Sequence, residues 1–324
     1  MRDLRMAYLR WLVAPLVRLA GPRVATKFAA RLGTGLFDLN PPGRERAMKR
    51  VLSAFGEAFS VACQERSNAI DPNQLALRIS RESYEHFARF WAECLFVAKR
   101  LDAQGWREFV RIESSDEERL RAVSARGCVV VVGYHGNIAA AACALGNLLG
   151  GLEVVSDLSG RPEIRIWERE IRSLSHVRLI DRSDAARVLP DVLAQRKSVM
   201  IVAENERPGG RGHRVRFMGR HFAARPTIER LCRWFDVPAA VVTCPRGPGA
   251  FEFHLRVHKL ITIAPSDSDD SFMLRVLGEL EKGMMLAPEQ YLWGMAAMED
   301  ARRHRGAGSS LYGSGEASPI GAAG

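Results

Sequence analysis

The sequence predicts an α/β fold: a mostly parallel sheet flanked by helices, with a helical region ahead of it. Three observations predict it. Val129 to Val132 form an unbroken β-branched run that ends at Gly133, without the alternation of a half-exposed strand. Further apolar runs follow over 152–156, 177–180, 198–203 and 237–243. Helix-like segments lie between them, over 162–173, 184–197 and 227–235. A continuous apolar run reads as a central strand buried on both faces, and strand–helix alternation reads as parallel pairing.

The chain of 324 residues divides into four stretches. Residues 1–35 carry Trp11, Leu12, Val13, Leu16, Val17 and Leu19 interspersed with Arg2, Arg5, Arg10 and Arg18. No apolar run reaches the roughly 20 residues of a spanning helix, and no small-residue cleavage site follows. Either an amphipathic helix at a membrane interface or a helix packed on the protein's own core fits that pattern. Residues 36–125 are helical by period. Val51, Ala54, Phe55, Ala58 and Phe59 recur at helical spacing, as do Tyr84, Phe87, Phe90, Trp91, Cys94, Leu95 and Ala98. Asp71-Pro72 opens a helix, and 117–125 forms the last one before the sheet. Residues 126–300 hold the α/β domain. Its 251–258 stretch alternates as a half-exposed, antiparallel, near-edge strand, and 268–285 forms a capped closing helix. Residues 301–324, mostly small or polar, predict a disordered tail.

The net charge of +10 suggests an anionic partner: lipid, nucleic acid or an acidic carrier protein. Six cysteines are scattered without CxxC spacing, so neither a disulfide framework nor a zinc site is predicted, and no metal or cofactor is expected. A Gly-x-Ser-x-Gly elbow, a P-loop and a dinucleotide fingerprint are all missing.

Two polar clusters sit where parallel strands end, the usual place for ligands. In the first, Tyr134-His135-Gly136-Asn137 turns the Val129 to Val132 strand into an alanine-rich helix. His135 is the candidate base, although the turn by itself fits a purely structural reading equally well. In the second, Glu204-Asn205-Glu206 follows the strand that begins near residue 198. Glu204 either orients a base, binds a cation or caps a loop. Beyond it, Arg207, Arg211, Arg214, Arg216, Arg220, Arg225 and Arg230 surround a Pro208-Gly209-Gly210 turn and a short strand at Val215 and Phe217. Guanidinium groups on such a loop suit phosphate oxygens. No nucleic-acid module accompanies them, so no specific nucleic-acid partner is expected.

In order along the chain, these segments resemble the late lipid A biosynthesis acyltransferase family, within the lysophospholipid acyltransferase superfamily. Tyr84-x-x-Phe87 leading to Glu93 is similar to the helix before its catalytic domain. Val129 to Ala139 is similar to the strand and the His-x-Gly-Asn-Trp-Glu motif. Residues 199–205 resemble the strand ending in Asp-Gln, and Val215-x-Phe217-x-Gly219 the turn after it. Pro288-x-Gln290-Tyr291-x-Trp293 resembles the closing segment. The resemblance implies a fatty acyl group passed from an acyl carrier protein or coenzyme A thioester to the hydroxyl or amine of a lipid or glycolipid. It places this reaction peripherally at the cytoplasmic face of the inner membrane. Gly136 and Asn137 of the turn, with Arg207, Arg211, Arg214, Arg216 and Arg220 of the basic stretch, are the substrate-binding candidates.

The catalytic motif departs from the family pattern. Aligned on Gly136-Asn137, Tyr134 takes the histidine position and Ala139 the acid position; aligned on His135, the acid position falls on Ala140. The expectation is therefore an acyltransferase using His135, supported by Glu204, with Tyr134 beside them. The alternative is a catalytically degenerate protein of the same fold that binds lipid or acyl carrier protein without turnover.

Overall fold

A computed structural model describes residues 14–65, 71–156, 176–204 and 213–294. The expected helix over 162–173, the tail over 301–324, and Trp11 with the arginines at positions 2, 5 and 10 lie outside these residues. Among the described residues, three long helices come first: α1 (Ala14–Asp38), α2 (Pro41–Glu65) and α3 (Pro72–Arg100). Asp71 caps α3 by accepting from the Asn73 N–H, with proline in the first turn, as its sequence predicts. Glycine or alanine at every fourth position lets α1 lie close on α3. Ala25, Ala29 and Phe37 are buried, and a side chain at Gly33 would meet the Glu85 backbone.

A short helix, α4 (Trp106–Phe109), leads into β1 (Val110–Ile112), and α5 (Ser114–Ser124) follows. The sheet thus begins before the residue-117 helix, not after it. β1 is only three residues long, too short for a readable alternation.

The sheet then runs through β2 (Val129–Val132), β3 (Leu152–Ser156), β4 (Val177–Asp181), β5 (Ser198–Val202), β8 (Ala239–Thr243) and β9 (Phe253–Ile261). Their order is β1-β9-β8-β2-β5-β3-β4. All pairings are parallel except β8 with β9. β2 is central and fully buried, which explains its four consecutive valines. Val130 and Val132 face one apolar cluster, shared with α3 and with α6 (Ile138–Leu149). Val129 and Val131 face the other, shared with α7 (Ala185–Ala194), α8 (Thr227–Phe235) and α9 (Asp269–Met284). A separate hairpin, β6 (His213–Phe217) and β7 (Arg220–Ala224), packs on α9 and α2. Ser268 caps α9, as expected.

Register decides where the chemistry-bearing residues meet. Val132 pairs with Val202, and Val131 with Val241. The carboxyl ends of β2, β5 and β8 are therefore level, which brings the Tyr134–Asn137 turn, Glu204 and residues 244–246 to one end of the sheet.

Candidate functional site: the turn after the central strand

The turn after β2 is held from three directions. Gly136 has φ +60°, and a Cβ there would sit 2.2 Å from the Cys244 carbonyl oxygen. Only glycine fits that combination. Its N–H donates to the Gln290 carbonyl (3.0 Å), and the Asn137 N–H to the Cys244 carbonyl (2.8 Å). The Leu292 N–H donates to the Tyr134 carbonyl (3.2 Å), which ties the turn to the closing segment. Asn137 is fully buried: Oδ1 caps α6 by accepting from the Ala140 N–H, and Nδ2 donates to Glu93 Oε2 (2.9 Å). Gly136 and Asn137 thus shape and cap the turn; the side-chain amide of Asn137 is committed to protein partners.

His135 is not a solvated loop residue, and its ring makes no hydrogen bond to Glu204. It is 2% exposed, and its Nε2 lies 2.9 Å from the Ala287 carbonyl, to which it donates. Its Nδ1 has no hydrogen-bond partner among the described residues, so no carboxylate orients the ring. Burial lowers its pKa from the ordinary 6.5 to about 4; the Ala287 carbonyl opposes that shift, and His258 adds to it. Glu204 is also buried but turned elsewhere. Oε1 accepts from the Tyr134 N–H (2.6 Å), and Oε2 accepts a short hydrogen bond from the Tyr291 hydroxyl. The carboxylate reaches the expected turn through its backbone, not through the imidazole. Burial and the Glu204 charge push the Tyr291 hydroxyl well above the ordinary tyrosine range, so Tyr291 stays a donor.

The depressed pKa of His135 has a consequence for stability. The unfolded chain takes up a proton near pH 6.5, while the native imidazole resists until about 4. Stability is therefore full above about 6.5 and falls as pH drops toward 4, by at most about 3 kcal/mol from this group. His86 and His258 shift in the same direction. Urea unfolding between these pH values should show a shallower pH dependence in His135→Gln, whose amide can still donate to Ala287. An unchanged slope would mean that His135 is not held neutral by burial.

Beneath the turn lies a buried ion network absent from the sequence expectations. Arg246 grips Glu93 with two hydrogen bonds, Nε to Oε1 (2.5 Å) and Nη2 to Oε2 (2.8 Å), and its Nη1 donates to His86 Nδ1 (3.0 Å). Gln290 accepts from the Arg246 N–H (2.6 Å). Burial, then the Arg246 charge, holds His86 far below its ordinary pKa and hence neutral. Two signals in the sequence point to this network. His86 and Glu93 are seven apart on one helix, hence on one face, and Arg246 follows a parallel strand at the sheet's ligand end.

Of the arginine-rich stretch, the described hairpin approaches the same end of the sheet through Arg220. Arg220 lies near enough to Tyr291, and Arg216 to Glu281, for each charge to favour ionisation of its neighbour. The carbonyl of Gly219, at φ +71°, accepts from Ser53 Oγ (2.5 Å), which pins the hairpin to α2. Arg207, Arg211 and the side chain of Arg214 lie outside the described residues. Among the described residues, no three His, Cys, Asp or Glu side chains gather as a metal site, and no helix is long and apolar enough to cross a membrane.

The closing segment completes the arrangement. Ser83 Oγ donates to the Tyr291 carbonyl (2.5 Å) and accepts from the Trp293 N–H (3.2 Å). The Trp293 ring is fully buried against Tyr291. The quoted motifs of α3, β2, β5, the hairpin and residues 288–293 thus converge in space. No curated protein matches the chain. Residues 2–295 match the family described as bacterial lipid A biosynthesis acyltransferase, which supports acyl transfer in lipid A-type biosynthesis as the family's activity. With that match spanning nearly all of the sequence and the motifs meeting at one end of a mostly parallel sheet, the chain belongs to the bacterial lipid A biosynthesis acyltransferase family.

Proposed function

We propose that this chain handles the family's ligands without the family's acid–base step. It binds a fatty acyl thioester, borne by an acyl carrier protein or coenzyme A, and an anionic lipid or glycolipid at the cytoplasmic face of the inner membrane. His135 carries this reading. A general base must come within hydrogen-bond reach of the hydroxyl that it deprotonates. His135 is 2% exposed, donates to the Ala287 carbonyl and has no carboxylate partner. Tyr134 stands at the family's histidine position, and a phenol hydroxyl is a poor base at neutral pH. Alanine at 139 or 140 cannot steady an imidazolium. The basic hairpin, with Arg216 and Arg220, suits an acidic carrier protein or lipid phosphates.

A second reading keeps the transfer itself, from thioester to an acceptor hydroxyl or amine. One observation favours it: the His135 imidazole stays unprotonated at neutral pH, with its Nδ1 lone pair unspent. Movement of the turn would make that nitrogen a base. Equilibrium binding tests the first reading. Acyl carrier protein loaded with a labelled acyl chain should bind saturably, and charge reversal at Arg216 and Arg220 should weaken binding about tenfold or more. Absence of saturable binding to any acyl thioester would overturn it.

A further inference from the structure

The outer face of α1 is built for a different surface. Its inner positions pack on α3, leaving pairs of residues exposed at every turn: Arg23-Val24, Lys27-Phe28 and Arg31-Leu32, followed by Leu36. Exposures are 57% at Val24, 59% at Phe28, 52% at Leu32 and 49% at Leu36. The four-residue spacing makes two neighbouring rows along one helix, one apolar and one cationic. Asp38, the last residue, is the only acid in α1. Gly21 breaks the helix and Pro22 restarts it, so both rows lie on the regular part.

The geometry points to this face as the surface by which the protein docks onto an anionic phospholipid bilayer. The inference rests on the membrane-surface part of the proposed function and names the element and the lipid chemistry. Val24, Phe28, Leu32 and Leu36 would sit at the acyl boundary, while Arg23, Lys27 and Arg31 reach headgroup phosphates. A row of large apolar side chains about half exposed is a poor surface to leave in water. A second copy is the competing occupant. Two such faces pressed together would bring cationic row toward cationic row with no acid before Asp38, whereas lipid phosphates complement the row.

The test uses the full chain with phosphatidylcholine vesicles, with and without phosphatidylglycerol, read by flotation. The parent should prefer the anionic vesicles and be released by salt. Arg23→Glu/Lys27→Glu/Arg31→Glu should lower partitioning by about tenfold or more. Val24→Ser/Phe28→Ser/Leu32→Ser should lower it by about tenfold. Both variants change exposed positions, so the unfolding midpoint and the binding of soluble acyl thioester should remain as in the parent. If a triple variant misfolds, Phe28→Ser alone and salt release of the parent take its place in the comparison. Equal partitioning of the parent and both variants would remove α1 as the docking face while leaving the membrane reading intact. No partitioning of the parent would sink that reading as well, though not thioester binding. Equal affinity for neutral vesicles, or a parent dimer that the apolar variant dissolves without vesicle binding, would overturn the anionic-lipid assignment.

Discussion

Glu93→Ala is expected to destabilise the protein by about 3–5 kcal/mol, because it strands the Arg246 guanidinium in the interior. The Glu93 side chain is fully buried, and that of Arg246 is 9% exposed. Loss of the carboxylate also removes the acceptor for Asn137 Nδ2 and so loosens the cap of α6. The pair's net worth is smaller than the cost of breaking it, since two buried charges must first be desolvated. Glu93→Leu combined with Arg246→Met should therefore recover much of the loss. Urea unfolding of the single and double variants checks this. A single-variant cost below about 1 kcal/mol would show that water reaches the network and screens it.

Gly136→Ala is expected to cost about 3 kcal/mol or more, because two penalties coincide. The left-handed backbone strains any residue with a Cβ by roughly 1–2 kcal/mol. The new methyl would also collide with the Cys244 carbonyl, which is backbone and already accepts the Asn137 N–H. Gly150→Ala is the control. Its φ is +72°, yet nothing lies within 4 Å of the added carbon, so only the backbone penalty of roughly 1–2 kcal/mol should appear. Equal unfolding free energies for the two variants would show that the turn after β2 can move away from β8. Such movement is what the transfer reading requires.

Much of the fold could be read from the residues because burial on both faces leaves a plain trace. The four valines of β2, the Asp71 and Ser268 caps and the helical periods of α3 and α9 all take the places that their residues predict. β1 was illegible because three residues carry no period, and its pairing with β9 is a long-range choice. The site was legible in its location and not in its wiring. Strand order and register bring Glu204 to the turn, but which atom it meets depends on side-chain directions. Here Tyr134 N–H and the Tyr291 hydroxyl take both carboxylate oxygens. The burial of His135 under residues 284–291 comes from the closing segment folding back over the turn, a contact spanning more than 150 positions. Local sequence carries no sign of it.

Most direct for the central claim, that the imidazole in this turn is structural, is the rate at which label passes from a saturating acyl thioester to an acceptor lipid. The parent, His135→Gln and Glu204→Gln should give the same rate, no faster than the uncatalysed reaction. A parent rate well above that background, lost in both variants, would contradict the claim and restore His135 and Glu204 as working parts of an acyltransferase.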